Sequence, residues 1–272
     1  MEKTVICHFY NEEFLLPWWL NHHKHVFDHG IMINYHSTDR SCEIIREICP
    51  HWEIRYSRNK DFHAGNIDLE VMEYEQRLTG WRMALNIPEF LYGNTDHIVH
   101  EQHEIQDPDH PENLHFHIGN YVFIDMEDTT KHPAHIYHHQ PLHEQRYWGY
   151  VETSSTGWQS PHGSTRRLPR SIHNYPRKYP EPGRHFPDTK PDFDDLVIFY
   201  YGWADASEQG IKRKLQVKDK LDLTKFAGCH HDKSIEQMFL QYREDQQPQA
   251  VDLRETMRPI LEHNYRITGQ YF

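Results

Sequence analysis

Polar side chains that could contact a ligand follow three short apolar segments in the N-terminal third of the chain. The segments are residues 4–9, 31–34 and 81–85, and the polar residues at their ends are Tyr10, Asn11, Glu12, Asn34, His36, Ser37, Thr38, Asp39, Asn86 and Glu89. Their amide, hydroxyl and carboxyl groups can hydrogen-bond a polar ligand, and a carboxylate such as Glu89 can also bind a hard divalent cation. These groups can act together only if the fold places the three segments side by side.

The elements that would position them alternate between strand and helix patterns, which is typical of βαβ units around a mostly parallel sheet. Strands are predicted at residues 4–9, 31–34, 52–56 and 81–85. Helices are predicted at about 14–26, from an N-terminal cap at residues 37–39 to about residue 49, and at 68–78. Ligands of open α/β sheets bind beyond the carboxyl ends of the strands, so the polar residues are expected to meet at that edge. The predicted fold class is therefore α/β, with a Rossmann-like, mostly parallel sheet flanked by helices.

The chain after residue 96 has a less regular pattern. Residues 97–143 are polar and contain eleven histidines, so we expect a loop-rich region with a strand only at residues 121–124. Residues 161–191 continue this character, and loops of such length usually carry function. A buried strand is predicted at residues 196–201, followed by helices at about 207–221 and 234–242. The histidines at 97, 100 and 103 would drift by about 120° around a helix, so no compact zinc site is expected from them.

Composition narrows the class of partner. With 272 residues the chain can form one domain, and its net charge of −12 argues against a nucleic acid as partner. The four cysteines show no Cys-x-x-Cys spacing, so neither a disulfide framework nor a zinc ribbon is predicted. No apolar run approaches the roughly 20 residues of a membrane helix, and no leader precedes the first strand. We therefore expect a cytoplasmic protein without a transmembrane segment, and the sequence leaves its oligomeric state open.

Three motifs resemble those of a known family. They are Val5-Ile6-Cys7-His8-Phe9-Tyr10-Asn11-Glu12-Glu13, Ile31-Met32-Ile33-Asn34-Tyr35-His36-Ser37-Thr38-Asp39-Arg40-Ser41 and Asn86-Ile87-Pro88-Glu89-Phe90-Leu91. There the chain is similar to the GT-A glycosyltransferases related to family 2, above all to the compact type found in bacteria and their viruses. The resemblance implies a single GT-A domain over residues 1–272. Residues 1–95 would bind the nucleotide, and residues 96–272 would form a loop-rich acceptor-binding half and the C-terminal helices.

The resemblance also implies a function and a set of ligand residues. The family transfers a sugar from a nucleoside-diphosphate sugar, mostly a UDP-sugar, to a hydroxyl group of a glycan, lipid or protein. The nucleotide would be held by the residues that match its binding turns, which are Tyr10, Asn11, Glu12, Asn34, Thr38, Asp39 and Asn86. Asn34 and Tyr35 stand where the family has an acidic pair, so they could hydrogen-bond or stack but carry no charge.

The metal motif of the family is altered in this chain. Its Asp-x-Asp pair, which grips Mn²⁺ or Mg²⁺, is replaced by Asn86 and Pro88, so Glu89 is the hard anionic ligand left in the motif. Downstream, Pro182-Gly183-Arg184-His185-Phe186 resembles a Gly-x-His segment beside the diphosphate, which implies a phosphate role for Arg184 and a metal role for His185. Two outcomes stay open: a Mn²⁺ or Mg²⁺ ion held by Glu89, His185 and water, or no metal, with Arg and Lys carrying the phosphate charge.

A catalytic base is harder to assign. Transfer with inversion needs a carboxylate within hydrogen-bond reach of the acceptor hydroxyl. The candidates are Asp125, Glu127 and Asp128, with Asp96 as another, and we assign the role to Asp125 and Asp128 without choosing between them. The loss of the aspartate pair also leaves a second function open, a degenerate protein that binds a nucleotide sugar or glycan without turning it over.

Overall fold

The computed structural model describes most of the chain. The described residues are 2–95, 98, 112–126, 131, 136–137, 139–152, 158–159, 165–166, 169–180, 182–186, 189–221 and 233–268. They form a mixed α/β fold in which a large sheet has helices packed on both faces. No helix within these ranges is long and apolar enough to cross a membrane.

Strands and helices alternate in the N-terminal third, as the sequence predicts. They are β1 (Lys3–Phe9), α1 (Leu16–His23), β2 (His29–Asn34), α2 (Ser41–Ile48), β3 (Glu53–Tyr56), α3 (Ala64–Glu75) and β4 (Trp81–Leu85). Strand β4 has its predicted bounds. Helix α3 begins at Ala64 rather than at residue 68, because the His63 side chain caps it by accepting a hydrogen bond from the backbone N–H of Asn66.

The rest of the described chain adds further strands and the C-terminal helices. They are β5 (Glu89–Gly93), β6 (His115–Ile124), α4 (Leu142–Gln145), β7 (Trp148–Val151), β8 (Trp158–Gln159), β9 (Thr165–Arg166), β10 (Arg170–His173), β11 (Leu196–Trp203), α5 (Glu208–Leu215), a 3₁₀ helix (Gln216–Lys220), α6 (Ile235–Gln241), a π-helical turn (Tyr242–Gln246), a second 3₁₀ helix (Gln247–Gln249), β12 (Val251–Asp252) and α7 (Arg254–Thr268).

Ten of these strands form one sheet with the order β12-β7-β6-β10-β4-β1-β2-β3, and β11 pairs with both β6 and β5. The pairs among β1, β2, β3 and β4 are parallel. Strand β10 is antiparallel to β4 and to β6, and β7 is antiparallel to β6. The prediction of a mostly parallel sheet is therefore correct for the N-terminal third, whereas the later strands mix both directions.

The core lies on both faces of the central strands β1 and β4. On one face Val5 and Met83 belong to the cluster that α1 and α2 cover. On the other face Ile6 and Ala84 pack with Val71 of α3. Strands that are covered on both sides contain continuous apolar runs, which is why these segments could be recognised in the sequence.

Several strands differ from the sequence prediction: β7, β8, β9 and β12 were not predicted, and β5 and β6 differ in the way described next. Strand β5 was expected as part of a turn motif, but all of its residues are buried and it pairs with β11. The indole N–H of Trp19 donates to the carbonyl of Glu89 at 2.8 Å and attaches β5 to α1. Strand β6 begins at His115 rather than at residue 121, so part of the expected loop region belongs to the sheet.

The C-terminal helices are capped as their sequences suggest. The Ser207 hydroxyl accepts a hydrogen bond from the N–H of Gly210 and begins α5. Helix α5 ends at Leu215 and continues as the 3₁₀ helix. The backbone N–H of Phe62 donates to the carbonyl of Lys220 at 2.7 Å, and Phe62 forms a parallel bridge with Leu221. The chain after β3 is thereby tied to the end of this 3₁₀ helix.

Candidate functional site

A cavity of about 230 Å³ lies at the carboxyl ends of β1 and β4. Its walls come from the end of β1 and the turn after it, the turn after β4, residues 183–184, the end of β11, and α5 with the following 3₁₀ helix. Of the residues assigned from sequence, four line this cavity: Tyr10, Glu12, Asn86 and Arg184. This is the edge of the sheet where the strand-end turns were expected to converge.

The turns after β1 and β2 are joined by reciprocal hydrogen bonds. The Asn11 side chain accepts from the backbone N–H of Thr38 at 2.8 Å, and the N–H of Asn11 donates to the Ser37 hydroxyl at 3.0 Å. The Asp39 carboxylate accepts from the N–H of Glu13 at 2.9 Å. Asn11, Thr38 and Asp39 thus lie together, as predicted, and their observed contacts hold one turn against the other.

Asn34 and Tyr35 lie inside the fold. The Asn34 side chain accepts from the N–H of Ser37 at 2.7 Å and donates to the Cys42 sulfur, so it shapes the turn. Tyr35 is fully buried, and its hydroxyl has no hydrogen-bond partner among the described residues. Burial raises the pKa of Tyr35 to about 12, so its hydroxyl stays protonated.

Three non-glycine residues in the described chain have a positive φ, and all three belong to this edge of the sheet. They are Asn11 at 52°, His36 at 59° and Arg184 at 64°. Asparagine adopts this conformation readily, whereas arginine does so at a cost of about 1–2 kcal/mol. Strained backbone of this kind clusters at binding sites, which supports the assignment of the cavity as a functional site.

Arg184 is held in the cavity wall by a buried carboxylate. Its Nη1 donates to Asp68 at 2.8 Å, and its Nη2 donates to the side-chain oxygen of Asn86. The other oxygen of Asp68 accepts from the N–H of Gly183 at 2.7 Å. Asp68 lies on α3, so this helix fixes both the backbone and the guanidinium of the 183–184 turn. The phosphate role predicted for Arg184 requires a cation at this place.

The Glu89 carboxylate is bound by protein groups rather than by the metal ion that the sequence motif implies. It is 4% exposed, and its Oε1 accepts from the guanidinium of Arg170, with the Nε at 3.0 Å. Its Oε2 accepts from the backbone N–H of Asn86 at 2.7 Å. Both carboxylate oxygens are therefore used inside the protein. The metal role of Glu89 stays a prediction, and this geometry favours a structural ion pair instead.

The residues present do not fit a divalent metal at this turn. Asn86 binds Arg184 through its oxygen, Pro88 has no side-chain ligand, and Glu89 is paired with Arg170. His185 is half-buried and is not part of the cavity lining. Within the described ranges, no three His, Cys, Asp or Glu side chains are grouped so that they could hold a metal ion.

Two further cations line the cavity from α5. Arg213 donates to both oxygens of Glu12, at 3.1 and 3.0 Å. Lys214 has neutral partners, the Tyr200 hydroxyl at 3.4 Å and the carbonyl of Gly202 at 3.3 Å. Burial, and next the charge of Arg213, lower the pKa of Lys214 to about 7. An anion in the cavity would favour the charged form of this side chain.

His8 contributes a neutral polar group to the cavity. Burial, and next the charge of Arg184, lower the pKa of His8 to about 3, so the imidazole is uncharged at neutral pH. Its Nε2 has no hydrogen-bond partner among the described residues, although it is buried. On the nearby rim, the ammonium of Lys220 lies 4.5 Å from the centre of the Tyr10 ring. A polar ligand could satisfy His8 and stack on the aromatic face.

The residues assigned to catalysis lie elsewhere or are not described. Asp125 does not line the cavity; its carboxylate contacts Arg146 at 3.2 Å and accepts from the N–H of Ala206 at 3.1 Å. Asp128, Glu127 and Asp96 fall outside the described residues, as do the histidines at 97, 100 and 103. The carboxylate that does line the cavity is Glu12, and burial raises its pKa.

Several residues that build the site were not assigned from the sequence. They are His8, Asp68, Arg170, Arg213 and Lys214. For Arg213 and Lys214 a signal exists, because Ile211 and Leu215 form the buried stripe of α5 and leave the basic residues beside it. Asp68 and Arg170 carry no such signal, since their partners are distant in the sequence.

No protein-family model and no curated protein matches the chain. Among solved structures it is similar to S. aureus TarS, at 11% identity over 47% of this chain and 22% of that chain, with a TM-score of 0.31. TarS 1–349 matches at 11% identity over 98% of this chain and 81% of that chain, with a TM-score of 0.36. TarS 1–349 in complex with UDP-GlcNAc matches at 12% identity over 47% of this chain and 35% of that chain, with a TM-score of 0.32. The chain thus spans about a fifth of the first of these structures, and its function has to be argued from the site.

Proposed function

We propose that the protein is a GT-A glycosyltransferase that moves a sugar from a nucleoside-diphosphate sugar, with UDP as the nucleotide, to a hydroxyl group of a glycan, lipid or protein. The observation that carries the proposal is the convergence of the turns after β1 and β4 with Arg184, Arg213 and Lys214 on one cavity. Polar groups for a nucleoside and cations for a diphosphate meet there at the carboxyl ends of parallel strands.

The chemistry of the cavity supports a dianionic ligand with an aromatic group. Guanidinium and ammonium groups bind phosphate oxygens through charge-assisted hydrogen bonds. Tyr10 and His8, whose Nε2 has no partner in the part of the chain that the structure describes, line the same cavity and suit a nucleobase and its ribose. We keep Asp125 and Asp128 as candidates for the catalytic base, and Glu12 joins them because it lines the cavity.

A nucleotide panel tests the proposal. We expect UDP to raise the melting temperature more than GDP, ADP or CMP, because the resembled family mostly uses UDP-sugars. A ligand at 100 times its dissociation constant adds about 2.7 kcal/mol to the free energy of unfolding, which is enough to measure as a melting shift. Release of UDP from UDP-sugars, with and without simple glycan acceptors, then measures turnover. The proposal is wrong if none of the nucleotides shifts the melting temperature.

A matched pair of variants on one helix connects the shift to the cavity. Lys214 lines the cavity, whereas Lys212 is exposed and pairs with Glu208 on the surface of α5. We expect Lys214→Met to reduce the UDP shift and Lys212→Met to leave it unchanged. Equal effects of both variants would place the nucleotide outside this cavity.

A second function is favoured by the ion pairs of the site. Glu12 is bound by Arg213, Asp68 by Arg184 and Glu89 by Arg170, so each of these carboxylates is already paired with an arginine. A protein that binds a nucleotide sugar without transferring it would tolerate this arrangement. UDP binding without any turnover of UDP-sugars, across acceptors, would support this alternative.

A further inference from the structure

We propose that the cavity binds the diphosphate of its donor without a divalent metal, and that Arg184 supplies the positive charge at the turn after β4. The proposal rests on the function proposed above, since it concerns how a nucleoside diphosphate is held. It follows from the partners of the residues that replace the family's metal motif.

The turn after β4 offers no available metal ligand, for two reasons. Pro88 and Asn86 carry no negative charge, and the oxygen of Asn86 accepts a hydrogen bond from Arg184. The one carboxylate of the turn, Glu89, is enclosed with Arg170; the two side chains are 5% and 2% exposed. A metal at Glu89 would have to displace Arg170 and leave a buried charge without a partner, which is strongly unfavourable.

Arg184 has the geometry of a fixed phosphate ligand. A guanidinium has five N–H donors, and the bonds to Asp68 and Asn86 use two of them, so it can also donate to a phosphate oxygen. The side chains of Arg184 and Asp68 are each 6% exposed, which limits the motion of the guanidinium. Arg184 also has a positive φ, a strained conformation for a non-glycine residue, and its side chain lines the cavity.

The charges around the cavity support binding of an anion by side chains alone. Of the described residues, three arginine or lysine side chains line it, namely Arg184, Arg213 and Lys214. Their carboxylate partners are Asp68 for Arg184 and Glu12 for Arg213, whereas the partners given above for Lys214 are neutral. With Lys214 protonated, the cations outnumber their carboxylate partners, and an anion in the cavity would favour that charged form. This excess of positive charge would offset part of the negative charge of a diphosphate.

Calorimetric titration of UDP into the wild-type chain tests the inference directly. The protein is treated with EDTA, and the dissociation constant of UDP is measured in EDTA, in Mg²⁺ and in Mn²⁺. We expect the three values to agree within about twofold, since no metal bridges the phosphates and the protein. Uridine, titrated in parallel, reports the part of the affinity that does not involve phosphate.

The outcomes separate this inference from the proposed function. UDP binding that appears only with Mn²⁺ or Mg²⁺ would overturn the metal-free site and leave the glycosyltransferase proposal standing. UDP binding in none of the three conditions would overturn both. UDP that binds no more tightly than uridine would show that Arg184 does not contact the phosphates, and would also reject the inference.

A conservative variant tests the role of Arg184. Arg184→Lys keeps the charge opposite Asp68 but removes the planar fork that binds two acceptors. We expect the affinity for UDP to fall about tenfold and that for uridine to stay unchanged, because a charge-assisted bond to phosphate is lost. Arg254→Lys is the control, since Arg254 forms an exposed pair with Asp252 outside the cavity lining. If Arg184→Lys does not fold, the metal comparison on the wild-type chain still decides the inference.

Discussion

Arg170 and Arg184 contact the same short turn, residues 86–89, and both side chains are buried. Arg170 binds the carboxylate of Glu89, and it also donates to the carbonyl of Gly183. Arg184 binds the neutral amide of Asn86 at the other end of the turn and lines the cavity, which Arg170 does not. The two arginines therefore differ in their partners and in their access to a ligand, although their charge and burial are alike.

Burial alone therefore does not separate a structural arginine from one that is placed to bind a ligand. Arg170 and Glu89 neutralise each other in the interior, so their removal should affect folding. Arg184 reaches the cavity between a carboxylate on one side and an amide on the other, so a change beside it should affect binding.

The largest effect is expected for Glu89→Gln. It leaves the Arg170 guanidinium in the interior without a counter-charge, and breaking a buried pair in this way costs about 3–5 kcal/mol. The free energy of unfolding from urea denaturation measures the loss. Glu53→Gln is the control, because Glu53 pairs with Arg55 on the surface, where both side chains are 54% exposed, and its midpoint should hardly change.

A second variant decides how the Glu89 result is interpreted. Replacing the whole pair, as Arg170→Met with Glu89→Leu, should recover most of the lost stability, because apolar side chains tolerate the interior without charge compensation. Wild-type stability of Glu89→Gln together with loss of UDP binding would instead support the ligand role that the sequence motif suggests for Glu89.

A smaller effect is expected for Asn86→Asp, which introduces one aspartate of the motif that the resembled glycosyltransferases carry. The new carboxylate would lie against Arg184 and beside the proposed diphosphate, so repulsion should weaken UDP binding in EDTA by about tenfold. The affinity is measured by calorimetry. Tighter binding of UDP by Asn86→Asp in EDTA would contradict the assignment of Arg184 to the phosphates.

The smallest effect is a pH dependence of UDP affinity. The groups that face Lys214 are Arg213, Glu12 and Tyr200, and burial raises the pKa of Tyr200 to about 12, so it does not titrate near neutral pH. In the ligand-free protein the pKa of Lys214 is about 7, so the charged fraction of this side chain falls as the pH rises. UDP affinity should fall about fivefold between about pH 7 and about pH 8. Lys214→Met should abolish this slope, and an unchanged slope would assign it to another group.

Much of the N-terminal fold could be predicted from sequence. The segments of β1, β2 and β4 are continuous apolar runs because helices cover both faces of the sheet there. Strand β5 was missed because its first residues, Glu89, Phe90 and Leu91, belong to a recognised motif and were assigned to that motif. Helix α7 was missed because Pro259 lies inside it, and a proline usually argues against a helix interior.

The site was predictable only in part, for a physical reason. Strand-end turns mark where Tyr10, Glu12 and Asn86 would lie, because side chains at the carboxyl ends of parallel strands converge. The charges that fill the cavity come from partners far apart in sequence, such as Asp68 with Arg184 and Glu12 with Arg213. No local pattern encodes such pairs. A motif could indicate Glu89, but only the fold shows that Arg170 occupies its carboxylate.

The bond between Phe62 and Lys220 bears on whether this protein can be divided into modules. The rim of the cavity joins a loop of the N-terminal third to a 3₁₀ helix about 150 positions later, and the cations come from the later part as well. A fragment restricted to residues 1–95 would keep the strand-end turns but lose Arg184, Arg213 and Lys214. The cavity is therefore not part of a separable module, and chimeras that exchange the two halves must preserve both sides of this junction.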